Sequence, residues 1–400
     1  MVSALLYLPD DAARRLAAAP VAGRTLAVRA MVAALRAGAS LIVVPASLRD
    51  AEAERALDRM PALAAAVRWL SPDAPAPVAG GAPWLLLPAS SLIHVSALGD
   101  LLSGAAPGGA VLAASAPGPA PVALAPAALV TALWKDVAAG RPLGALLARR
   151  LAESGADLRA ATGPHVTVRE AGDLDRAEEA LQATLGIPAD SGVDRHLHRR
   201  GSRWISRLLV RTPVRPNLVS LVSLAIGLVA AWCFWHATAA SAFLGVLLYV
   251  LASIVDHADG EIARLTFQES RLGANLDWTI DTIIQVGIVL GIGVSVGGRG
   301  MGVVLGLLAA IGVTLSAIFA RYLAQEREGS PTGGGLLESM ASRDLFYLML
   351  LAFAALRWLA PTLVVLVALV VAVGSQVYWV GCVTRIRTAR AAAPSGGRPA

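Results

Sequence analysis

Four aspartates stand where a chain rich in long apolar runs should not carry them: Asp256, Asp259, Asp277 and Asp281. The first pair is spaced i, i+3 and the second i, i+4, so each pair occupies one face of a helix. A carboxylate is costly in hydrocarbon, and four of them converging from two antiparallel helices repel one another unless cations intervene. Few basic side chains are near in sequence, which points to hard divalent metals such as Mg²⁺ held by oxygen ligands. Two such ions, roughly 3.5 to 4 Å apart, would clamp a phosphoryl group for in-line displacement. Gly260, Ala263 and Gly273 are small where a ligand or neighbouring helix would come close, and Arg264 is placed to anchor a phosphate or to pair with a carboxylate. The competing readings are a structural polar cluster and the ion path of a transporter. Both retain expensive buried charges, the first without any chemistry to require them.

The elements that must carry these pairs are membrane helices. The chain has 400 residues, 56% hydrophobic and only 16% charged, which is too apolar for a wholly soluble protein and excludes disorder for its bulk. About six spans follow Asn217, approximately 218–236, 240–258, 274–296, 301–323, 345–358 and 361–383. Arginines at 195, 199, 200, 203, 207, 211 and 215 precede the first span. They define an interfacial helix over Arg195 to Arg211, lying on the membrane with its arginines toward lipid phosphates. Arg264 and Arg271, Arg321 and Arg327, and Arg385 and Arg387 fall on the same side as this belt, so both termini are expected to be cytoplasmic. The net charge of +6 rests on arginine, with Lys135 the only lysine, a pattern of GC-rich coding more than of nucleic-acid binding. Cys233 and Cys382 lie in apolar stretches and are expected to be packing residues, which excludes a disulfide framework. The histidines at 94, 165, 196, 198 and 257 have no metal-ligand spacing with cysteine and are expected at surfaces or interfaces.

The pattern Asp256-x-x-Asp259-Gly260-x-x-Ala263-Arg264, eight residues, Gly273-x-x-x-Asp277-x-x-x-Asp281 resembles the complete signature of the CDP-alcohol phosphotransferases. The resemblance implies an all-α domain of six transmembrane helices, often a homodimer, that moves a substituted phosphate from a CDP-linked donor to an acceptor hydroxyl and releases CMP with Mg²⁺ or Mn²⁺. It further implies that Asp256, Asp259, Asp277 and Asp281 are metal ligands, that Asp281 is also the general base, and that Gly260, Arg264 and Ser270 contact the donor nucleotide. Pro216-Asn217 is similar to the family's Pro-Asn pair at the start of the first helix, which adds Asn217 to the donor site. The expected partners are an alcohol or polyol-phosphate acceptor and membrane lipids, and a bacterial inner membrane is the expected location.

Residues 1–185 read differently. Short apolar runs, Ala4 to Leu8, Ser40 to Val44, Trp84 to Leu87, Ala110 to Ala113, Val122 to Leu124 and Val166 to Val168, alternate with Ala/Leu/Arg helices, an α/β pattern with a mostly parallel sheet. Gly23-Arg24-Thr25-Leu26, and Asp173-Leu174-x-Arg176-Ala177-Glu178 near the end, resemble a sugar-phosphate nucleotidyltransferase, a Rossmann-like fold found fused to CDP-alcohol phosphotransferases. This copy departs where chemistry is needed. Pro9-Asp10-Asp11-Ala12-Ala13 replaces the Gly-rich phosphate loop, Pro88-Ala89-Ser90-Ser91 stands where a metal aspartate is expected, and Arg169 stands for the second. The expected organisation is a degenerate nucleotidyltransferase-like domain over 1–185, a linker with the interfacial helix over 186–215, the transmembrane phosphotransferase domain over 216–385 and a disordered tail over 386–400. A working bifunctional cytidylyltransferase and phosphotransferase, or a non-catalytic membrane scaffold, are the alternatives.

Overall fold

The structure, a computed structural model, describes residues 2–76, 82–103, 110–113, 120–160, 163–185, 198–236, 238–326 and 343–392. The chain forms two units, Met1–Leu185 and Gly186–Ala400.

In the first unit seven strands make one mixed sheet: β1 (Val2–Tyr7), β2 (Ala39–Pro45), β3 (Val67–Leu70), β4 (Trp84–Pro88), β5 (Ala110–Ala113), β6 (Ala123–Ala125) and β7 (Asp157–Ala160), in the order β7-β5-β6-β4-β1-β2-β3. The four strands β4, β1, β2 and β3 run parallel, as do β7 and β5, while β6 is antiparallel to both of its neighbours. The central β1 is buried at four consecutive positions, Ala4 to Tyr7, which is the continuous apolar run required of a strand covered on both faces. The run at 166–168 does not join this sheet. His165–Thr167 pairs instead with Ser91–Ile93 in a separate two-stranded ladder.

The Gly-Arg-Thr-Leu segment is a hairpin followed by a helix cap. Ala22 (φ 44°) and Gly23 (φ 77°) turn the chain between Pro20–Val21 and Arg24–Thr25, and the Thr25 hydroxyl accepts a bond from Val28 N at the start of helix Leu26–Arg36. Buried Arg29 donates to the carbonyls of Val21 (2.8 Å) and Ala22 (2.9 Å), locking the turn; burial first, then the Arg24 charge, pulls its pKa down to about 9. Arg24 itself pairs with Glu52 at 2.6 Å. The segment after β1 is likewise tied to the fold, because Leu143 N donates to Leu8 O (2.9 Å) and Gly144 N to Pro9 O (3.0 Å).

The second unit is helical: α1 (Arg199–Leu209), α2 (Pro216–His236), α3 (Ala239–Thr266), α4 (Arg271–Gly297), α5 (Val303–Glu326), α6 (Arg343–Leu359) and α7 (Val364–Ala392). Its core gathers Phe234, Tyr249, Ile284, Ile288 and Phe353 from α2, α3, α4 and α6, with the Phe234 and Phe353 rings edge to face at 5.8 Å. Small residues set the helix spacing: a Cβ on Gly293 of α4 would strike the backbone of Gly306 on α5, so these helices touch main chain to main chain. The outer surface is apolar, with Trp232, Leu247, Leu348 and Val370 all more than half exposed, which is a lipid-facing pattern.

Among the described residues five helices are long and apolar enough to cross a membrane, α2, α3, α4, α7 and one over Gly300–Leu323 that includes most of α5. The sixth expected span is α6, whose 17 described residues rise about 26 Å, just short of a hydrocarbon core of about 30 Å. Two further expectations change. The tail expected from 386 is helical as far as Ala392, because the arginine-containing segment continues the α7 register; residues 393–400 lie outside the described residues. The interfacial helix keeps Arg200 and Arg207 exposed but buries Arg199, and its expected first residues, 195–197, with the junction 186–194, lie outside the described residues. In α1 the polar stripe Arg199, Ser202 and Ser206 is buried, whereas Trp204 (71%) and Leu208 (59%) are exposed. The reason is a buried carboxylate on α3, Glu261, which draws that stripe inward. His198, expected at a surface, is fully buried between the rings of His257 and Tyr347.

Candidate active site

All of the motif lies on α3, α4 and the turn between them. Helix α3 runs unbroken for 28 residues, about 42 Å, so its apolar part and the segment Asp256 to Arg264 are one rigid rod. It ends on Phe267 in the left-handed conformation (φ 57°), with Gln268 N donating to Ala263 O at 2.8 Å. Three residues later Ser270 starts α4, its hydroxyl accepting from Gly273 N at 2.9 Å. Ser270, expected as a nucleotide contact, is thus also the cap that orients the helix bearing Asp277.

This turn folds the carboxylates together. One oxygen from each of Asp256, Asp259 and Asp277 lies within 4.8 Å of the others; Asp256 and Asp259 are 6% and 5% exposed and Asp277 is half-buried. At that separation two like charges in a protein of effective dielectric about 20 repel by roughly 3 kcal/mol, so the cluster is built for a cation. The donor set fits Mg²⁺ or Mn²⁺, since it is all carboxylate oxygen and opposite ligands around Mg²⁺ stand about 4.2 Å apart. Asp281 is not in this group. It sits one turn further along α4, about 6 Å, and close enough for its charge, like that of Asp277, to act on Asp259.

Around the cluster is a cavity of about 460 Å³. Asn217, Gly260, Arg264, Ser270 and Gly273 all line it, together with Asp256, Asp259 and Asp277. The glycines keep it open: a Cβ on Gly260 would stand 3.4 Å from Arg264 Nη1, and one on Gly273 would stand 3.2 Å from the Ser270 hydroxyl and 3.7 Å from Asn217 Oδ1. Every expected site residue except Asp281 therefore faces one space.

Sequence reasoning missed the polar residues that hold this space in shape. Ser220 Oγ, one turn beyond Pro216-Asn217 on α2, donates to Asp259 Oδ2. Glu261 of α3, fully buried, accepts from Arg199 Nη1 (3.2 Å), Ser202 Oγ (2.8 Å) and Ser206 Oγ (2.7 Å), all on α1. The available signal was the i, i+3, i+7 recurrence of Arg199, Ser202 and Ser206 within an otherwise amphipathic helix. Gly201 on the same helix permits the close approach, since its Cβ would stand 2.8 Å from Ile254 Cγ2 of α3. Of the arginines that set the expected topology, Arg321 on α5 donates to Asn275 Oδ1 and lies 5.0 Å from the Trp278 ring centroid, beside Asp277. Arg327 lies outside the described residues.

An apolar helical unit thus places three clustered carboxylates beside one polar cavity, an arrangement that could hold divalent cations. Residues 213–387 match the family described as CDP-alcohol phosphatidyltransferase. The chain is 35% identical over 120 residues to the bifunctional IPC transferase and DIPP synthase of Thermococcus kodakarensis, the match covering 28% of this chain and 27% of that protein. It is 36% identical over 139 residues to the protein of the same description from Rubrobacter xylanophilus, covering 35% and 31% respectively. The chain thus spans less than a third of the length of these relatives. Among solved structures it matches Mycobacterium tuberculosis phosphatidylinositol phosphate synthase (PgsA1) with CDP-DAG bound, at 23% identity and a TM-score of 0.39, over 50% of this chain and 99% of that one.

Proposed function

We propose that this protein is an integral membrane CDP-alcohol phosphotransferase of the bacterial inner membrane, with both termini cytoplasmic, acting as a homodimer. The observation that carries the reading is the convergence of Asp256, Asp259 and Asp277 on one cavity with Arg264 and Asn217. Those carboxylates would hold Mg²⁺ or Mn²⁺, which would neutralise charge on a diphosphate. Arg264 and the groups around Gly260 and Ser270 position the CDP moiety. Asp281 accepts the proton of the acceptor hydroxyl; the oxygen bonds to the phosphorus bearing the alcohol, and the bond to the bridging oxygen breaks with its electron pair leaving on CMP. The reading is tested by CMP release from the purified chain with CDP-diacylglycerol and CDP-inositol supplied in parallel. Mg²⁺-dependent release from one of them is expected, and release from neither, with any alcohol or polyol phosphate supplied, overturns it.

The acceptor side rests on Arg321. Arg321→Ala is expected to raise the KM for a polyol phosphate about fivefold with little change in turnover, the scale of one partly exposed charged hydrogen bond. An unchanged KM would assign this arginine to holding α5 against α4.

The first unit is proposed to perform no nucleotidyl transfer. Its Gly-Arg-Thr-Leu segment is occupied with a hairpin, a helix cap and the Arg24–Glu52 pair, and the loop after β1 is bonded through its carbonyls to residues 143 and 144. Pyrophosphate release from CTP with a polyol phosphate is expected to be absent from the full chain. Release that survives Asp281→Asn would restore the bifunctional reading.

A further inference from the structure

The family match begins at residue 213, yet the wall of the cavity does not. Arg199, the first residue of α1, lines the same cavity as the three carboxylates and Arg264. It is 4% exposed, and its guanidinium is fixed by Glu261, which is fully buried and takes two further bonds from Ser202 and Ser206. Burying an arginine and a glutamate together is weak as a stability device, since hydrophobic packing of similar volume does as well or better. Burial of the pair at the rim of an anion-binding cavity has a different use. Arg199 and Arg264 line the same cavity, near enough for their charges to act on each other, and the Glu261 carboxylate bonded to Arg199 offsets that repulsion. The Arg264 Nε, moreover, is buried with no hydrogen-bond partner among the described residues. Two guanidiniums lining one cavity can present donors to more than one phosphate oxygen.

Resting on the function proposed above, we propose that Arg199 is a second diphosphate-binding residue, delivered to the donor site by the interfacial helix and held there by Glu261. The ligand class is a nucleoside diphosphate or its ester, with Arg199 recognising the distal phosphate rather than the nucleoside. Helix α1 is then a wall of the active site, supplying Arg199 directly and Ser202 and Ser206 through their bonds to Glu261.

The test is calorimetric binding of CDP and CMP, with Mg²⁺ present, to the purified full chain. Wild type should bind CDP more tightly than CMP. Arg199→Gln should weaken CDP at least tenfold and CMP far less, collapsing that preference, while Mn²⁺ binding without nucleotide stays within about twofold; Arg199→Lys should recover part of the loss. The Arg199→Gln/Glu261→Gln double variant removes the orphaned carboxylate and separates contact from structure. A double variant that still discriminates poorly between CDP and CMP supports the contact. Restored preference in the double variant, or an unaltered preference in Arg199→Gln, overturns it. If wild type binds neither nucleotide, the donor assignment itself falls and takes this inference with it.

Discussion

Asp281→Asn should abolish phosphoryl transfer while leaving the donor bound. An alcohol is a poor nucleophile at neutral pH, and a carboxylate within reach that takes its proton contributes typically about 10²- to 10⁴-fold. The geometry favours a role apart from metal binding: the close carboxylate group is Asp256, Asp259 and Asp277, and Asp281 stands one turn beyond it on the same face of α4. The variant removes a proton acceptor of the same shape and leaves the close group whole. Turnover is expected to fall by about 10²- to 10⁴-fold, with CDP affinity in Mg²⁺ within about threefold of wild type. Near-normal turnover would remove Asp281 from the mechanism, and a parallel loss of Mg²⁺ binding would return it to the ligand set.

Asp277→Asn and Asp256→Asn should fail in the opposite order. Each takes one oxygen from a three-carboxylate group. Changes even to residues behind a metal ligand cost about 10- to 100-fold in affinity, so loss of a ligand should weaken Mg²⁺ binding at least about 100-fold and donor binding with it. Stability should move the other way in the metal-free protein. Three like charges within 4.8 Å repel, and removing one relieves that repulsion. Metal-free Asp277→Asn should therefore unfold at a higher temperature than metal-free wild type, and added Mg²⁺ should raise wild type much more than the variant. A variant destabilised without metal would show that Asp277 serves packing instead.

The grouping of the candidate site residues was legible in the sequence because its parts are local. Asp256, Asp259, Gly260 and Arg264 share one helix, Gly273, Asp277 and Asp281 the next, and helical periodicity alone puts each set on one face. The strands β1, β2, β4 and β5 were legible for the same reason, as short apolar runs bounded by turn residues. What escaped depends on distant partners. Glu261 reads as a solvated residue between motif positions until Arg199, 62 positions earlier, is seen bonded to it. That one contact also buries Arg199, Ser202 and Ser206 of α1 while Arg200 and Arg207 stay exposed, a division that the amphipathic pattern by itself does not reveal. β3 and β7 lacked a signal because Arg68, Asp157 and Arg159 interrupt their apolar residues.

The connection between α3 and α4 has a bearing on how such a chain can change over generations. A left-handed phenylalanine closes one helix and a serine opens the other, with only Gln268 and Glu269 between them. Phe267 accepts a backbone state that usually falls to glycine, so the tightness of the joint outweighs its conformational cost. Inserting or deleting a residue here would move one carboxylate pair off the other, and selection should tolerate no length drift over these four positions. The segment joining α5 to α6 carries none of the close carboxylates, so its length is free to vary without touching them. Random single-codon insertions scored for retained transfer should therefore be depleted between Thr266 and Arg271 and recovered after Glu326. A new acceptor specificity could then arise by remodelling one end of the domain while the phosphoryl-transfer core is inherited unchanged.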